Sequence, residues 1–164
     1  MKIFETEIWI DKYNKWWNGN QEIINEGVIR LFKINLHYDH NYFIHLKYKD
    51  KEEKGYLKRV EGFPLMAIEL NIFDDQIHLK LDNDQDVNIF ELSYDEERNA
   101  FWHLWYDKEY NTYIPFMLNN RTVQMLQPLL IELDNSFKIK TQNTTFPVII
   151  RKFEHYGATH KEKS

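Results

Sequence analysis

The sequence predicts an α+β fold made mostly of antiparallel strands and hairpins, with two helices. Short apolar runs alternate with polar residues at period two between turn-forming residues, which is typical of strands. Aromatic residues make up 16% of the chain, and aromatic side chains favour strands over helices. Only two segments place their apolar residues at the spacings of three and four that a helix requires.

The clearest strand follows Pro64 and covers residues 66–72. Its apolar side chains share one face and occupy Met66, Ile68, Leu70 and Ile72. Because proline lacks a backbone N–H, Pro64 suits the entrance of a strand better than its interior. We therefore expect a strand here with a fixed start and one hydrophobic face.

The length of 164 residues fits one domain or two small packed halves. We predict a single compact α+β domain over residues 1–154, with halves at about 1–73 and 74–154. A flexible polar tail is expected over residues 155–164. Strands flank one predicted helix in each half, but no residue-level repeat relates the halves.

Composition excludes several classes of protein. The net charge of −5 argues against a nucleic-acid partner, since such proteins usually carry a basic surface. The chain contains no cysteine, so a disulfide framework, a thiolate nucleophile and a cysteine-bound metal are impossible. No segment has the apolar length of a membrane helix or signal peptide. We predict a cytoplasmic protein without a membrane partner or cofactor.

The first half opens with a hairpin of residues 8–10 and 15–17, joined by a polar turn. A helix then starts at the N-cap residue Asn25 and ends near residues 39–41. Its predicted apolar stripe consists of Val28, Leu31, Phe32 and Leu36. Strands at residues 42–48 and 56–60 follow, with a charged turn between them.

The second half continues with strands and one further helix. The predicted strands cover residues 77–81, 87–93, 101–106, 113–118, 137–140 and 146–153. Pro115 places its strand at a sheet edge or a bulge. The helix follows Asn119 or Asn120 and extends to Leu133, and Pro128 should kink it or mark its start.

Five short motifs follow one another along the chain: Trp16, Leu31-Phe32, Val60-Glu61-Gly62-Phe63-Pro64-Leu65, Leu81-Asp82-Asn83 and Pro115-Phe116. In this order they resemble an uncharacterised bacterial family, domain of unknown function 1285 (DUF1285). The chain departs from the family pattern at Gly62, where an acid is usual, and at Asn120 or Arg121, where arginine is preferred. The resemblance implies a two-part α+β fold and a role in signalling or regulation, and it implies no particular reaction.

Three histidines lie close together at the end of the first predicted helix: His37, His40 and His45. Such sets can bind metals, but a histidine near a helix C-terminus also complements the helix dipole. Asp39 is the only carboxylate at a useful spacing. The pattern favours capping or surface histidines over a metal site, and no catalytic residue is assigned.

Aromatic residues form the most suggestive set for binding. The set comprises Trp16, Trp17, Trp102, Trp105, Tyr106, Tyr110 and Tyr113. From it we select Trp17, Trp102, Trp105 and Tyr113 as candidates for contact with a ligand or partner, with core packing as the alternative. Adjacent strand residues face opposite ways, so one of Trp16 and Trp17 should be core and the other more exposed.

These observations favour a non-enzymatic ligand-binding or regulatory module over an enzyme. Its partner would be a small molecule or a protein. The first alternative is a small hydrolase that uses carboxylates and a histidine from the set at residues 37–45. The second alternative is a homodimeric interaction module, paired through the Pro115 strand or the last strand.

Overall fold

The computed structural model describes residues 1–154 and confirms the α+β class, with two α-helices among many strands. The predicted tail at residues 155–164 lies outside the described residues. The described chain forms two compact units. Unit 1 comprises Met1–Leu65 and Trp105–Pro115, and unit 2 comprises residues 66–104 and 116–154.

The first part of the chain contains β1 (Lys2–Glu5), β2 (Ile8–Ile10), β3 (Trp16–Asn18), β4 (Gln21–Glu22), α1 (Glu26–Ile34), β5 (Leu36–Tyr38), β6 (Tyr42–Tyr48), β7 (Lys51–Tyr56) and β8 (Arg59–Val60). They form two four-stranded sheets in unit 1, with the strand orders β1-β7-β6-β5 and β4-β3-β2-β8. β1 pairs with β7 in parallel, whereas β5, β6 and β7 are antiparallel. The charged segment 49–55, predicted as a turn, is therefore mostly strand, since β7 covers Lys51–Tyr56.

The second part contains β9 (Leu65–Phe73), β10 (Gln76–Leu81), β11 (Asp86–Ile89), β12 (Leu92–Asp95), β13 (Ala100–Asp107), β14 (Thr112–Leu118), α2 (Asn120–Leu126), β15 (Leu130–Leu133), β16 (Ser136–Lys140) and β17 (Thr145–Ile150). These strands form one sheet in the order β11-β10-β9-β14-β13-β12-β17-β16-β15. The tip of the β13–β14 hairpin belongs to unit 1.

Helix α1 begins as the sequence predicts, because the Asn25 side chain accepts a hydrogen bond from the Val28 N–H. It ends earlier than expected, at Ile34. The Asn35 N–H bonds back to the Leu31 carbonyl, and Leu36 already pairs with Ile44 in the β5–β6 ladder. An apolar residue fits either a helix face or a buried strand, so the pattern alone could not place this end.

Two predictions around prolines in the second half need correction. β14 lies between β9 and β13 and Pro115 is buried, so the edge alternative for that strand is wrong. Pro128 does not kink a long helix, since α2 stops at Leu126 and a short 3₁₀ turn covers Gln127–Leu129. The predicted end of the helix is strand β15 instead. The missing N–H of proline explains why the α-helix cannot continue through this position.

The strand predicted at residues 87–93 is two strands, β11 and β12, separated at Phe90 and Glu91. The last strand, β17, lies between β12 and β16 rather than at an edge. The edges of the nine-stranded sheet are β11 and β15. Both strands proposed for homodimer pairing are therefore interior, which removes that mode of pairing. No helix within residues 1–154 has the length and apolarity needed to cross a bilayer.

Candidate functional site

The candidate site lies on one face of the β5-β6-β7 sheet in unit 1. Strand pairing sets His37 opposite Phe43, His45 opposite Lys54, and Phe43 opposite Tyr56. Residues directly opposite in a ladder share a face, so all five side chains project from the same side of the sheet. We call these residues, together with Asp39, Glu52, Asp107, Glu109 and Tyr110, the polar cluster.

Asp39 organises one end of the polar cluster. Its Oδ2 atom lies 2.7 Å from the Lys54 Nζ and accepts a hydrogen bond of 2.7 Å from the Tyr56 hydroxyl. Its Oδ1 atom accepts hydrogen bonds from the backbone N–H groups of His40 and Asn41. Burial alone would raise the pKa of Asp39, but these bonds outweigh it and hold the pKa well below the usual value. The carboxylate is therefore charged and fully engaged.

The Lys54 ammonium group is held by the Asp39 carboxylate and by three aromatic rings. Its ammonium nitrogen lies 4.1 Å from the centre of the Phe43 ring, 5.2 Å from that of Tyr56 and 5.8 Å from that of Tyr110. Burial works against its charge, yet the hydrogen bond to Asp39 raises the pKa of Lys54 overall. Three rings and a carboxylate therefore surround one ammonium group, an arrangement that stabilises a cation by cation–π attraction.

Two histidines form carboxylate pairs at the other end of the polar cluster. The His37 Nδ1 lies 2.6 Å from Asp107 Oδ2, and its Nε2 lies 3.7 Å from Glu109 Oε2. The His45 Nε2 lies 2.5 Å from Glu52 Oε1. Its Nδ1 lies 3.1 Å from the Tyr110 hydroxyl. Three of the four ring nitrogens lie within hydrogen-bond distance of a protein group, and the fourth, His37 Nε2, lies near a carboxylate at a longer distance. Both histidine side chains are largely buried.

Tyr110 closes over this face from the tip of the β13–β14 hairpin. Its ring centre lies 4.7 Å from that of His37 and 4.9 Å from that of Phe43. Burial is the main cause of a raised pKa for the Tyr110 hydroxyl, with a further contribution from Glu109. The hydroxyl therefore stays protonated near neutral pH and can donate its hydrogen bond to His45.

A cleft of about 460 Å³ adjoins the polar cluster in unit 1. It is lined by residues 3–7 of β1 and the following turn, by His40 and Asn41, and by residues 56–58. Tyr56 is a member of both the cleft wall and the polar cluster. The volume falls within the range of small-molecule sites. Six of the ten lining residues are polar or charged, so the wall is more polar than that of a typical small-molecule site.

The three histidines selected from the sequence are only partly brought together. His37 and His45 approach with ring centres 6.4 Å apart. His40 stays at the surface with 73% of its side chain exposed, and its Nδ1 lies 2.9 Å from Asp39 Oδ1. No group of three or more histidines and carboxylates suited to a metal ion occurs within residues 1–154.

The selected aromatic residues occupy different environments. Trp102 is 1% exposed, and its Nε1 donates to the Arg151 carbonyl, so it is a core residue of unit 2 rather than a ligand contact. Trp105 is half-buried. Tyr113 is 38% exposed and packs against Tyr106, with ring centres 5.2 Å apart. Neither lines the cleft.

Trp17 shows the alternation predicted for the adjacent tryptophans. Trp16 is 2% exposed, whereas Trp17 is half-buried. The Trp17 indole stacks on Trp9 with ring centres 5.5 Å apart and donates from Nε1 to Asp11 Oδ2 at 2.9 Å. The Arg59 guanidinium covers the Trp9 ring at 3.9 Å. This row of planar groups fixes the orientation of Trp17 on the β4-β3-β2-β8 sheet.

Comparison with solved structures finds two matches of low sequence identity. A DUF1285 family protein from Silicibacter pomeroyi DSS-3 matches with a TM-score of 0.57 and 13% identity, covering 90% of this chain and 81% of its own. The chain has a DUF1285-like fold. A DUF1285 family protein from Shewanella baltica OS155 matches with a TM-score of 0.50 and 13% identity, covering 75% of this chain and 91% of its own. These matches confirm the fold that the sequence motifs suggested, and both proteins are described only by a domain of unknown function.

No protein-family model and no curated protein matches this DUF1285-like chain. We therefore infer the function of this chain from its own geometry. The sequence brought attention to His37, His45 and Tyr110 but gave no indication of Asp107 or Glu52 as their partners. Asp107 lies 70 residues from His37, and only the folded hairpin brings the two together.

Proposed function

We propose that this DUF1285-like protein is a non-enzymatic ligand-binding module, and that the cleft in unit 1 holds its ligand. The observation that carries the proposal is the cleft itself, which shares Tyr56 with the polar cluster. Asp39 and Lys54 hold the Tyr56 side chain in place, so this part of the wall is rigid before any ligand arrives. A preorganised wall lowers the ordering cost of binding.

The contacts of His37 and His45 favour binding over catalysis by these two residues. A general base needs a nitrogen within hydrogen-bond reach of a substrate proton. Both nitrogens of His37 and of His45 already lie close to groups of the protein, and neither histidine lines the cleft. A hydrolase that used His37 or His45 would require these contacts to break before the reaction, whereas His40 lines the cleft itself and has its Nδ1 2.9 Å from Asp39 Oδ1. A regulatory role is compatible with ligand binding and with the signalling role that the DUF1285 resemblance implies.

A thermal-shift screen of metabolites, nucleotides and metal ions tests the proposal. A compound that binds only the folded state raises the melting temperature by mass action. We expect a shift with the wild type and its loss in Ile3→Trp, because the larger ring would fill part of the cleft that Ile3 lines.

Ile150→Trp is the matched control for this screen. Ile3 is 62% exposed on β1 and Ile150 is 56% exposed on β17 of unit 2, so the two substitutions alter equally exposed strand positions. Ile150→Trp should retain every shift seen with the wild type. A compound that shifts both variants equally binds elsewhere and would count against the cleft.

We propose as a second candidate that two copies of this chain associate through the outer face of α1. None of the nine residues of α1 is buried within the described chain. Ile24, just before the helix, is 77% exposed, and Val28 and Leu31 are 36% and 48% exposed. These residues are spaced by four and three, so they form one apolar stripe. Contiguous apolar surface of this kind marks interfaces, and a two-fold pair would bury it symmetrically.

Leu31→Asp tests the homodimer by light scattering over a range of concentrations. The wild type should approach twice the monomer mass at high concentration, and the variant should remain a monomer because a buried, unpaired charge opposes association. Leu133→Asp is the control, since Leu133 is 45% exposed on β15 of unit 2. A wild type that stays strictly monomeric removes this candidate and leaves the cleft proposal untouched.

A further inference from the structure

We infer that the cleft takes a ligand with an ammonium or similar cationic group on an apolar body. The inference deepens the proposed function and rests on the cleft being the ligand site. Glu5 on β1 carries the argument, because it lines the cleft directly opposite Tyr56 in the β1–β7 ladder.

The charges of the cleft wall leave Glu5 uncompensated. Lys58 Nζ lies 3.2 Å from Glu7 Oε2, so those two residues neutralise each other. His40 already lies against Asp39. Glu5 has no salt-bridge or hydrogen-bond partner for its carboxylate among residues 1–154. Counting only residues 1–154, the cleft therefore offers one free negative charge and no free positive charge to a ligand.

The Tyr56 ring is a second group of the cleft wall that attracts a cation. The Lys54 ammonium lies 5.2 Å from the centre of this ring, so the ring already takes part in one cation–π contact. An ammonium group between Glu5 and Tyr56 would meet a carboxylate and the negative face or edge oxygen of an aromatic ring. Ile3, Phe4 and Leu57 supply the apolar wall for the remainder of the ligand.

The overall charge favours the same class of ligand. The chain carries a net charge of −5, and a field of that sign raises the local concentration of cations and lowers that of anions. An anionic ligand would approach against this field and would place its charge beside Glu5. The local and the global electrostatics therefore agree.

Three probes that share a phenyl ring test the inference: phenethylamine, phenethyl alcohol and phenylacetate. NMR titration of the wild type at neutral pH should show phenethylamine binding about fivefold to tenfold more tightly than the alcohol. Phenylacetate should bind most weakly. Glu5→Gln should remove the preference for the amine while the alcohol binds as before.

Glu69→Gln is the matched control, since it removes the same charge from an exposed position of β9 in unit 2. It should keep the preference for the amine. Equal binding of the three probes, tighter binding of phenylacetate, or no binding of the amine would overturn the inference. If the screen finds a neutral or anionic compound that Ile3→Trp no longer binds, the cleft is still the ligand site and only the inferred charge is wrong. If no compound binds, both proposals fail.

Discussion

Replacing Gly62 by alanine should lower the free energy of unfolding by about 3 kcal/mol, an unusually large loss for one added methyl group. Gly62 is buried against the turn between β2 and β3. A Cβ atom there would lie 2.6 Å from the Asp11 carbonyl oxygen and closer still to the Asn14 side-chain oxygen. The first of these is a backbone atom, which cannot move aside by rotating a side chain.

The turn itself has no room to adjust. The Asn14 N–H donates to the Asp11 carbonyl at 3.0 Å, and Asn14 Oδ1 accepts from the Phe63 N–H at 2.6 Å. Asn14 also has a φ of 69°, which asparagine tolerates better than most residues. Moving the turn away from a new methyl group would break the contact to Phe63, which is 2% exposed. The cost of the substitution therefore includes a lost hydrogen bond as well as steric strain.

Urea unfolding followed by tryptophan fluorescence measures this loss, since Trp16 and Trp17 lie on the strand after the turn. Gly27→Ala is the control, because its nearest new contact would be the Asn25 side chain at 3.2 Å and alanine favours the helix. We expect that variant to stay within about 1 kcal/mol of the wild type. If Gly62→Ala lowered the free energy of unfolding as little as Gly27→Ala does, the turn would be able to move aside for the added methyl group, contrary to this prediction.

The glycine at position 62 has a structural explanation. The Asp11–Asn14 turn occupies the space that any side chain at this position would need. The sequence shows that a glycine is present, but only the fold shows which distant residues require it. Gly62 and Asn14 are 48 positions apart, and no local pattern connects them.

Local signals predicted elements well and tertiary pairing poorly. Asn25 caps α1 as expected because capping depends on neighbours three residues away. By contrast, the charged run of β7 resembles a solvated turn, and its pairing with β1 and β6 makes it a strand. Two of its charged side chains belong to the polar cluster: Glu52 contacts His45, and Lys54 contacts Asp39. The charged side chains of the candidate site therefore made this strand resemble a turn.

In the candidate site, too, the sequence predicted features that depend on near neighbours and missed contacts between distant residues. His37 and His45 were selected because they are close in sequence, and strand pairing does bring their rings near each other. Their carboxylate partners come from the next strand and from a hairpin tip far along the chain, which composition and spacing do not reveal. Trp102 was selected for the same aromatic character that places it in the core. Aromatic content alone does not separate a binding residue from a packing residue.

Asp39→Ala should lower the free energy of unfolding at neutral pH by about 3 kcal/mol, because it leaves the Lys54 ammonium without its counter-ion. The Lys54 side chain is only 15% exposed, so water replaces the carboxylate poorly. Asp39→Asn should lose about 2 kcal/mol, since an amide oxygen still accepts hydrogen bonds but carries no charge. Asp50→Asn removes the same charge from an exposed turn of unit 1 and should cost little.

The dependence of stability on pH distinguishes the charge of Asp39 from its shape. Its pKa is lower in the folded state than in the unfolded chain, so its contribution is complete above the unfolded value and is lost as the pH falls below about 4. The wild type should therefore lose stability more steeply on acidification than Asp39→Asn, and the two curves should converge at low pH. Asp50→Asn should follow the wild type throughout. Parallel curves for the wild type and Asp39→Asn would mean that the carboxylate is ordinary in the folded state. Convergence would show that Asp39 stabilises the folded state through its charged form, as expected for a carboxylate that contacts the Lys54 ammonium and the Tyr56 hydroxyl.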